Sequence, residues 1–308
     1  MPSAPPSGRQ HRIRHGKQEA VITEVGAGLR AYTVGGVDIL DGYRENEICT
    51  VARGQPLIPW PNRLKDGKYE FMGSDYQTPL TEPSQHNAIH GLIRWSNWNG
   101  VVDPDNRVVM SLLLHPQEGY PFMLELRIEY ELTDGGLTVR TTATNAGDRP
   151  LPYGAGQHPY LSLGTDRIDS LTLRLPALLW MEVDDHQIPT GRLVQVKGGE
   201  FDFLEPRAIG GTRIDTAFTS LVPDADGLTR VIAASEKSGR QTTLWMDHAY
   251  GYVMVFTGDT IPDASRRRKG LGLEPMTCAP NAFQSGLGLI RLEPGASATS
   301  SWGIFAVV

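Results

Sequence analysis

Gly136-Leu-Thr-Val-Arg-Thr-Thr-Ala-Thr-Asn145 is the stretch on which the fold turns. Apolar or small residues alternate with polar ones along it, and threonine and valine suit a pleated, half-buried backbone. The period is two, which predicts a strand. Working outward, 124–132 interleaves polar residues among apolar ones, and 108–114 is a further β-branched or alternating run. Similar segments lie at 20–25, 170–175, 288–292 and 300–308, and a pair at 241–246 and 252–256 flanks a turn at 247–251. No stretch of a dozen residues carries a 3.6-residue stripe. Residues 201–209 fit a short helix or turn, and Pro206 argues against anything longer. Thirty-four glycines and 22 prolines punctuate the chain at short intervals. Many short strands with frequent turns predict an all-β fold, an antiparallel sandwich or barrel. No fixed-period repeat supports a propeller. Neither the helices nor the GxGxxG loop of a dinucleotide-binding fold is present. No composition break follows the N-terminal segment, so the expected organisation is a flexible arm over 1–16 and one large β domain over 17–308.

The rest of the composition narrows the function. The chain has 308 residues, 40% hydrophobic and 21% charged, which excludes disorder, collagen and coiled coil as whole-chain descriptions. Twenty-nine basic residues against 35 acidic ones leave a net charge of −6, a poor footprint for gripping phosphates, so no nucleic-acid partner is expected. The two cysteines, Cys49 and Cys278, form no CxxC pair and are expected to be reduced thiols of a cytoplasmic enzyme. The N-terminal MPSAPPSGRQHRIRHGKQ has basic residues but no apolar core to follow them, unlike a signal peptide. Apolar runs such as 178–181 and 304–308 are too short to span a bilayer, so no membrane partner is expected.

Four clusters combine glycine, proline, aromatic and polar residues, as site-building loops do. In Pro56-Leu-Ile-Pro-Trp-Pro-Asn-Arg63 the prolines stiffen a segment that ends on Arg63, which is either aimed into a pocket or a surface arginine at a strand edge. The segment from His86 to Trp98 carries His90, Arg94, Trp95 and Trp98. Aromatics beside hydrogen-bonding groups suit carbohydrate, though a buried tryptophan pair with solvated histidines gives the same pattern. Tyr153-Gly-Ala-Gly-Gln-His-Pro-Tyr160 sets His158 in a tight turn, where it is a proton donor or simply a solvated ring. Glu274 is the one charged residue between 270 and 289. A lone carboxyl in apolar surroundings has a raised pKa, as a general base near neutrality requires, unless an arginine distant in sequence pairs with it. Asp215, in Ile214-Asp-Thr-Ala-Phe218, is a weaker candidate. His86 and His90 are four residues apart, but their segment does not read as a helix, HExxH is absent, and no metal is expected. GxSxG is absent too. The run Arg266-Arg-Arg-Lys269 reads as a solvated loop face, with contact to a substrate phosphate as the other option.

Taken in chain order, "LIPWPNRL", "IHGLIRWSNW", "GAGQHPYL", "IDTAFTSL", "YVMVFTGD" and "LEPMTCAPNAFQSG" resemble the aldose 1-epimerase (mutarotase) family, in wording nearer its bacterial branch than the galactose-pathway enzymes. Gln157 stands where many mutarotases carry asparagine. The resemblance implies a large antiparallel β-sandwich of the galactose mutarotase type. It implies interconversion of the α and β anomers of a free monosaccharide, without metal or cofactor, by a monomer or homodimer. Carried over, Glu274 is the general base, His158 the general acid, His90 a ligand of the ring and C1 oxygens, and Arg63 and Asp215 hydroxyl-binding residues. Two alternatives stand beside it. A hexose-6-phosphate 1-epimerase would need arginines at the pocket, for which Arg94 and the 266–269 run are the candidates. A non-catalytic sugar-binding module would have no need of Glu274 and His158 together.

Overall fold

The computed structural model describes residues 4–102 and 104–308. The opening stretch forms the strand Gly136–Asn145, with Leu137, Val139, Thr141 and Ala143 facing inward. It pairs antiparallel with Leu124–Thr133, so that Tyr130 lies opposite Val139 and Ile128 opposite Thr141. Leu124, Leu126, Ile128, Tyr130 and Leu132 are all sealed from solvent, each aliphatic member contributing about 1.5–3 kcal/mol of burial. These two strands are the third and fourth of a nine-stranded sheet. On one side come Arg107–Leu114 and the edge strand Asn99–Val102. On the other come Ser297–Val307, Arg240–Met246, Thr229–Ser235, Thr172–Arg174 and Arg207–Ala208.

A second antiparallel sheet runs Pro189–Gln195, Ala177–Val183, Asp215–Leu221, Tyr252–Phe256, Leu271–Met276, Gly156–Gln157 and Pro56–Leu57, with Tyr160–Leu161 also paired to Leu271–Met276. One apolar cluster takes in side chains of both sheets, from Ile13 to Ile304. This is the antiparallel β-sandwich expected. The one α-helix among the described residues is the single turn Ala282–Ser285. Residues 201–209 form turns and the two-residue strand Arg207–Ala208 rather than a helix.

The expected loose arm is a correction. Gln10–His15 is a strand, paired antiparallel with Gln18–Thr23 in a four-stranded sheet. Ile13 is fully buried, while Arg12 and Arg14 point outward and both bind Glu19. The outward charges gave the segment the look of a solvated tail, and one buried isoleucine is too short a signal to reveal the strand.

Leu271–Met276 positions the site because it is buried on both faces. Leu271 and Leu273 enter the main core. Met276, on the opposite face, joins a small second cluster with Met181, Ala217, Met254 and Ala279. Side chains alternate along a strand, so Glu274 shares that second face.

Candidate active site

Register brings the central pair together. Gly156 pairs with Met276 and Tyr160 with Gly272, so the chain between them sets His158 across from Glu274. The His158 Nε2 and Glu274 Oε1 atoms are 3.3 Å apart, and both side chains are almost sealed from solvent. The backbone of His158 is held on both sides: its carbonyl accepts from Gly54 N at 2.8 Å and its N–H donates to Gln55 O at 3.1 Å. Its ring stacks on Tyr160 at 5.0 Å and meets the His90 ring edge-on at 5.1 Å.

A short hairpin brings Arg63 and His90 alongside. Arg63–Lys65 pairs with Asn87–Ile89, and the His90 N–H donates to Asn62 O at 2.9 Å. The proline-rich segment leading in contains a cis Ile58-Pro59 bond. Gly91 crosses this segment so closely that a Cβ on it would lie 2.0 Å from Ile58 O, and its φ is +67°. Only glycine serves there. Arg63 grips Glu82 with two hydrogen bonds, Nε to Oε2 at 2.7 Å and Nη2 to Oε1 at 2.9 Å. Asp215 opens its strand opposite Phe256, one strand away from Glu274.

These five residues line one cleft of about 660 Å³, of the size that holds a small ligand. Glu274, His158, His90, Arg63 and Asp215, the residues carried over from the family resemblance, therefore converge. Tyr160 and Phe256 supply the aromatic wall. The tryptophans do not: Trp98 is buried in the core and Trp95 is exposed on the surface. His86 also lies elsewhere, edge-on to His186. Glu82, Asp185 and Gln187 line the cleft but carried no sequence signal, being ordinary polar loop residues. The 266–269 run does not line the cleft; Arg267 and Lys269 are exposed, as on the solvated face expected, whereas Arg266 is half-buried and Arg268 buried. Arg266 binds Asp41 at 2.7 Å, Arg267 donates to Ile261 O at 2.8 Å, and Arg268 is buried against Asp259 and Asp169. Arg266 and Arg268 turn inward because Asp41, Asp169 and Asp259, all from other segments, meet them there.

Burial governs the electrostatics. It pushes Glu274 well above the usual carboxylate range, with the charge of Asp215 adding to it and Arg63 opposing. It pulls His158 down to about 3, assisted by the nearby charge of Arg94. His90 is likewise held well below its ordinary value by burial and by His158, Arg94 and Arg63. Asp215 rises to about 6, chiefly through burial, against the pull of Arg63. Proximity alone would make Glu274 and His158 an ion pair, but desolvation outweighs it and favours a neutral carboxyl beside a neutral imidazole. Either way the pair holds one transferable proton. Glu274 Oε2, His158 Nδ1 and His90 Nδ1 are buried without a hydrogen-bond partner among the described residues. Buried polar atoms are almost always satisfied, so these three leave hydrogen-bonding capacity at the cleft for a further partner.

Comparison with known proteins agrees with this architecture. The sequence profile of the aldose 1-epimerase family matches residues 9–304. The Escherichia coli protein YihR is 35% identical over 290 residues, spanning 94% of this chain and 90% of its own. The galactose mutarotase of Rattus norvegicus is 27% identical over 155 residues, spanning 48% of this chain and 44% of its own. A GalM/aldose epimerase homologue from C. elegans superposes with a TM-score of 0.86 at 20% identity, covering 97% of this chain and 98% of its own. With the profile running through nearly the whole sandwich and every motif of the cleft, the chain belongs to the aldose 1-epimerase family.

Proposed function

We propose that the protein is an aldose 1-epimerase that interconverts the α and β anomers of a free aldose. One observation carries the reading: a carboxyl and an imidazole, 3.3 Å apart, line one cleft together with Arg63, His90 and Asp215. Mutarotation needs those two groups. Glu274 takes the proton of the C1 hydroxyl while His158 donates a proton to the ring oxygen. The C1–ring-oxygen bond breaks, its electron pair leaving with the ring oxygen, and C1 becomes an aldehyde. Rotation about C1–C2 presents the other face, and the same two proton transfers run backward to close the ring. Where the shared proton rests on the carboxyl, the first step follows its transfer across the short gap to His158. Hydroxyls donating to Glu274 favour that transfer by stabilising the carboxylate. His90 helps hold the ring and C1 oxygens, and Arg63 and Asp215 hold other hydroxyls, so that only the C1 end turns.

Anomer exchange of glucose, galactose, xylose and arabinose, followed by proton NMR or polarimetry, tests this. The wild type is expected to accelerate exchange of at least one sugar, and Glu274→Gln to lose about 10²–10⁴-fold of that acceleration. Sugar binding without acceleration by the wild type would instead make the protein a binding module on an epimerase fold.

A further inference from the structure

Four side-chain atoms of residues that line the cleft are buried without a hydrogen-bond partner among the described residues. Three are Glu274 Oε2, His158 Nδ1 and His90 Nδ1, at the proposed proton-transfer pair and its neighbour. The fourth is Gln187 Oε1, which has no part in the proton transfers. Gln187 belongs to the turn that joins Ala177–Val183 to Pro189–Gln195. It also lines a narrow recess with Asn62, Arg63, Asp215 and Met254, which sets it beside two of the proposed hydroxyl-binding residues. The recess, about 10 Å³, has room for a single water at most, so a sugar meets the amide from the main cleft. The turn is held firmly. Asp184 Oδ1 accepts from the N–H groups of His186 and Ile188, both at 2.9 Å, and the Gln187 N–H donates to Asp184 O at 2.9 Å. Asn87 Nδ2 donates to His186 O at 2.9 Å and to Glu82 Oε2 at 3.3 Å, which ties the turn to the carboxylate that grips Arg63. The φ of Gln187 is +61°, a backbone conformation that favours glycine. A long amide is thus kept where a bare turn would form more easily, and strain of that kind gathers at functional sites.

We infer that Gln187 is a specificity-determining residue whose Oε1 accepts a hydrogen bond from one sugar hydroxyl other than that on C1. The inference rests on the epimerase reading, which gives the C1 hydroxyl to Glu274 and the ring oxygen to His158. A buried amide oxygen is costly to leave unpaired. A sugar that carries the matching hydroxyl satisfies it, and one that lacks the hydroxyl strands it, so the site rejects the analogue. The amide is neutral and does not titrate, so it reads where a hydroxyl stands rather than a charge. That hydroxyl is unchanged when the ring opens. The contact therefore serves substrate and transition state alike, and its loss falls on KM rather than on kcat.

The test follows anomer exchange and calorimetric binding in wild type, Gln187→Leu and Gln187→Gly. The sugars are glucose, galactose, xylose and arabinose, with the monodeoxy forms of whichever is exchanged fastest. Glycine suits the left-handed turn, so Gln187→Gly should melt close to the wild type and separate lost binding from lost folding. Both variants are expected to raise KM about tenfold while kcat stays within about twofold. In the wild type one monodeoxy sugar is expected to lose about tenfold or more in kcat/KM against its parent, and in Gln187→Leu that penalty should fall to near one. The deoxy position identifies the hydroxyl. Wild-type KM in both variants, or a loss confined to kcat, overturns the inference. So do deoxy penalties that are the same with and without the amide, the result if a water in the recess satisfies Oε1. If no sugar exchanges, the epimerase reading falls, and binding decides this one. An aldose bound by wild type and about tenfold more weakly by both variants upholds it, and equal binding or none overturns it.

Discussion

Gly91→Ala should damage stability and activity together, for a reason that the backbone makes explicit. The new Cβ would lie 2.0 Å from Ile58 O, 2.3 Å from Ile58 C and 2.9 Å from Pro59 N, all main-chain atoms that cannot swing aside. Reaching ordinary contact at 3.4 Å requires a separation of about 1.4 Å. That movement breaks the Leu92 N–H to Ile58 O bond of 2.8 Å, costing about 1 kcal/mol. The left-handed backbone adds about 1–2 kcal/mol for a residue with a Cβ. The expected loss is therefore about 2–3 kcal/mol. Gly73→Ala is the control. Its φ is +75°, yet nothing lies within 4 Å of the new carbon, so it carries the conformational cost alone. Urea denaturation of the two variants should separate them by about 1 kcal/mol or more. Because His90 precedes Gly91 and its N–H is bound to Asn62 O, the displacement also moves an imidazole of the cleft. A misplacement near 1 Å costs about 10²-fold in rate, readable by anomer exchange. A Gly91→Ala protein that denatures alongside Gly73→Ala and exchanges anomers at the wild-type rate would refute the reasoning.

Other perturbations follow from the same contacts. Leu126→Ala, at the centre of the large sheet and fully buried, should cost about 3–5 kcal/mol in chemical denaturation. Asp259→Ala removes one of the two carboxylates that hold the buried Arg268 guanidinium, leaving Asp169 at 3.2 Å, and should destabilise by about 1–3 kcal/mol, the cost of lost hydrogen bonds to a charged group. Acidification should weaken the fold through His158: the unfolded imidazole takes up a proton near pH 6.5, while the buried one refuses it down to about 3. The unfolded state thus binds more protons across that window, so stability falls as pH falls, and His158→Asn should flatten the profile measured by thermal melts between pH 6.5 and 4. Glu82→Gln keeps the shape of the Arg63 clamp but removes its charge, and should raise KM more than it lowers kcat, since hydroxyl binding rather than proton transfer is disturbed.

The strand that sequence revealed most plainly has one wet face. Gly136–Asn145 showed its period because Arg140 and the threonines face out while Leu137 and Val139 face in. Leu271–Met276 had no such period, being buried on both sides, and its glycine, glutamate and proline argue against a strand. What showed there was the isolation of Glu274, and isolation is the property that raises its pKa. The candidate site was legible as residue types in four loops, yet the pairings within it were not. That His158 faces Glu274 depends on a register set by Gly156 with Met276 and Tyr160 with Gly272. That Arg63 is clamped depends on Glu82, which has nothing in its local sequence to mark it. The inward folding of Arg266 and Arg268 was hidden because a run of cations looks solvated until Asp41, Asp169 and Asp259 are placed beside it.

The strand Leu271–Met276 has the core packed on one side and the cleft on the other. Glu274 is thereby mounted on a strand buried on both faces, with His158 held beside it by the pairing of Gly156 and Tyr160 to that strand, whereas Arg63, Glu82, His90 and Arg94 sit on a hairpin and its flanking loops. The two parts can vary under separate selection. Drift in the hairpin retunes which sugar is held without altering how its ring is opened, and one reaction can then be inherited unchanged while its clientele diversifies.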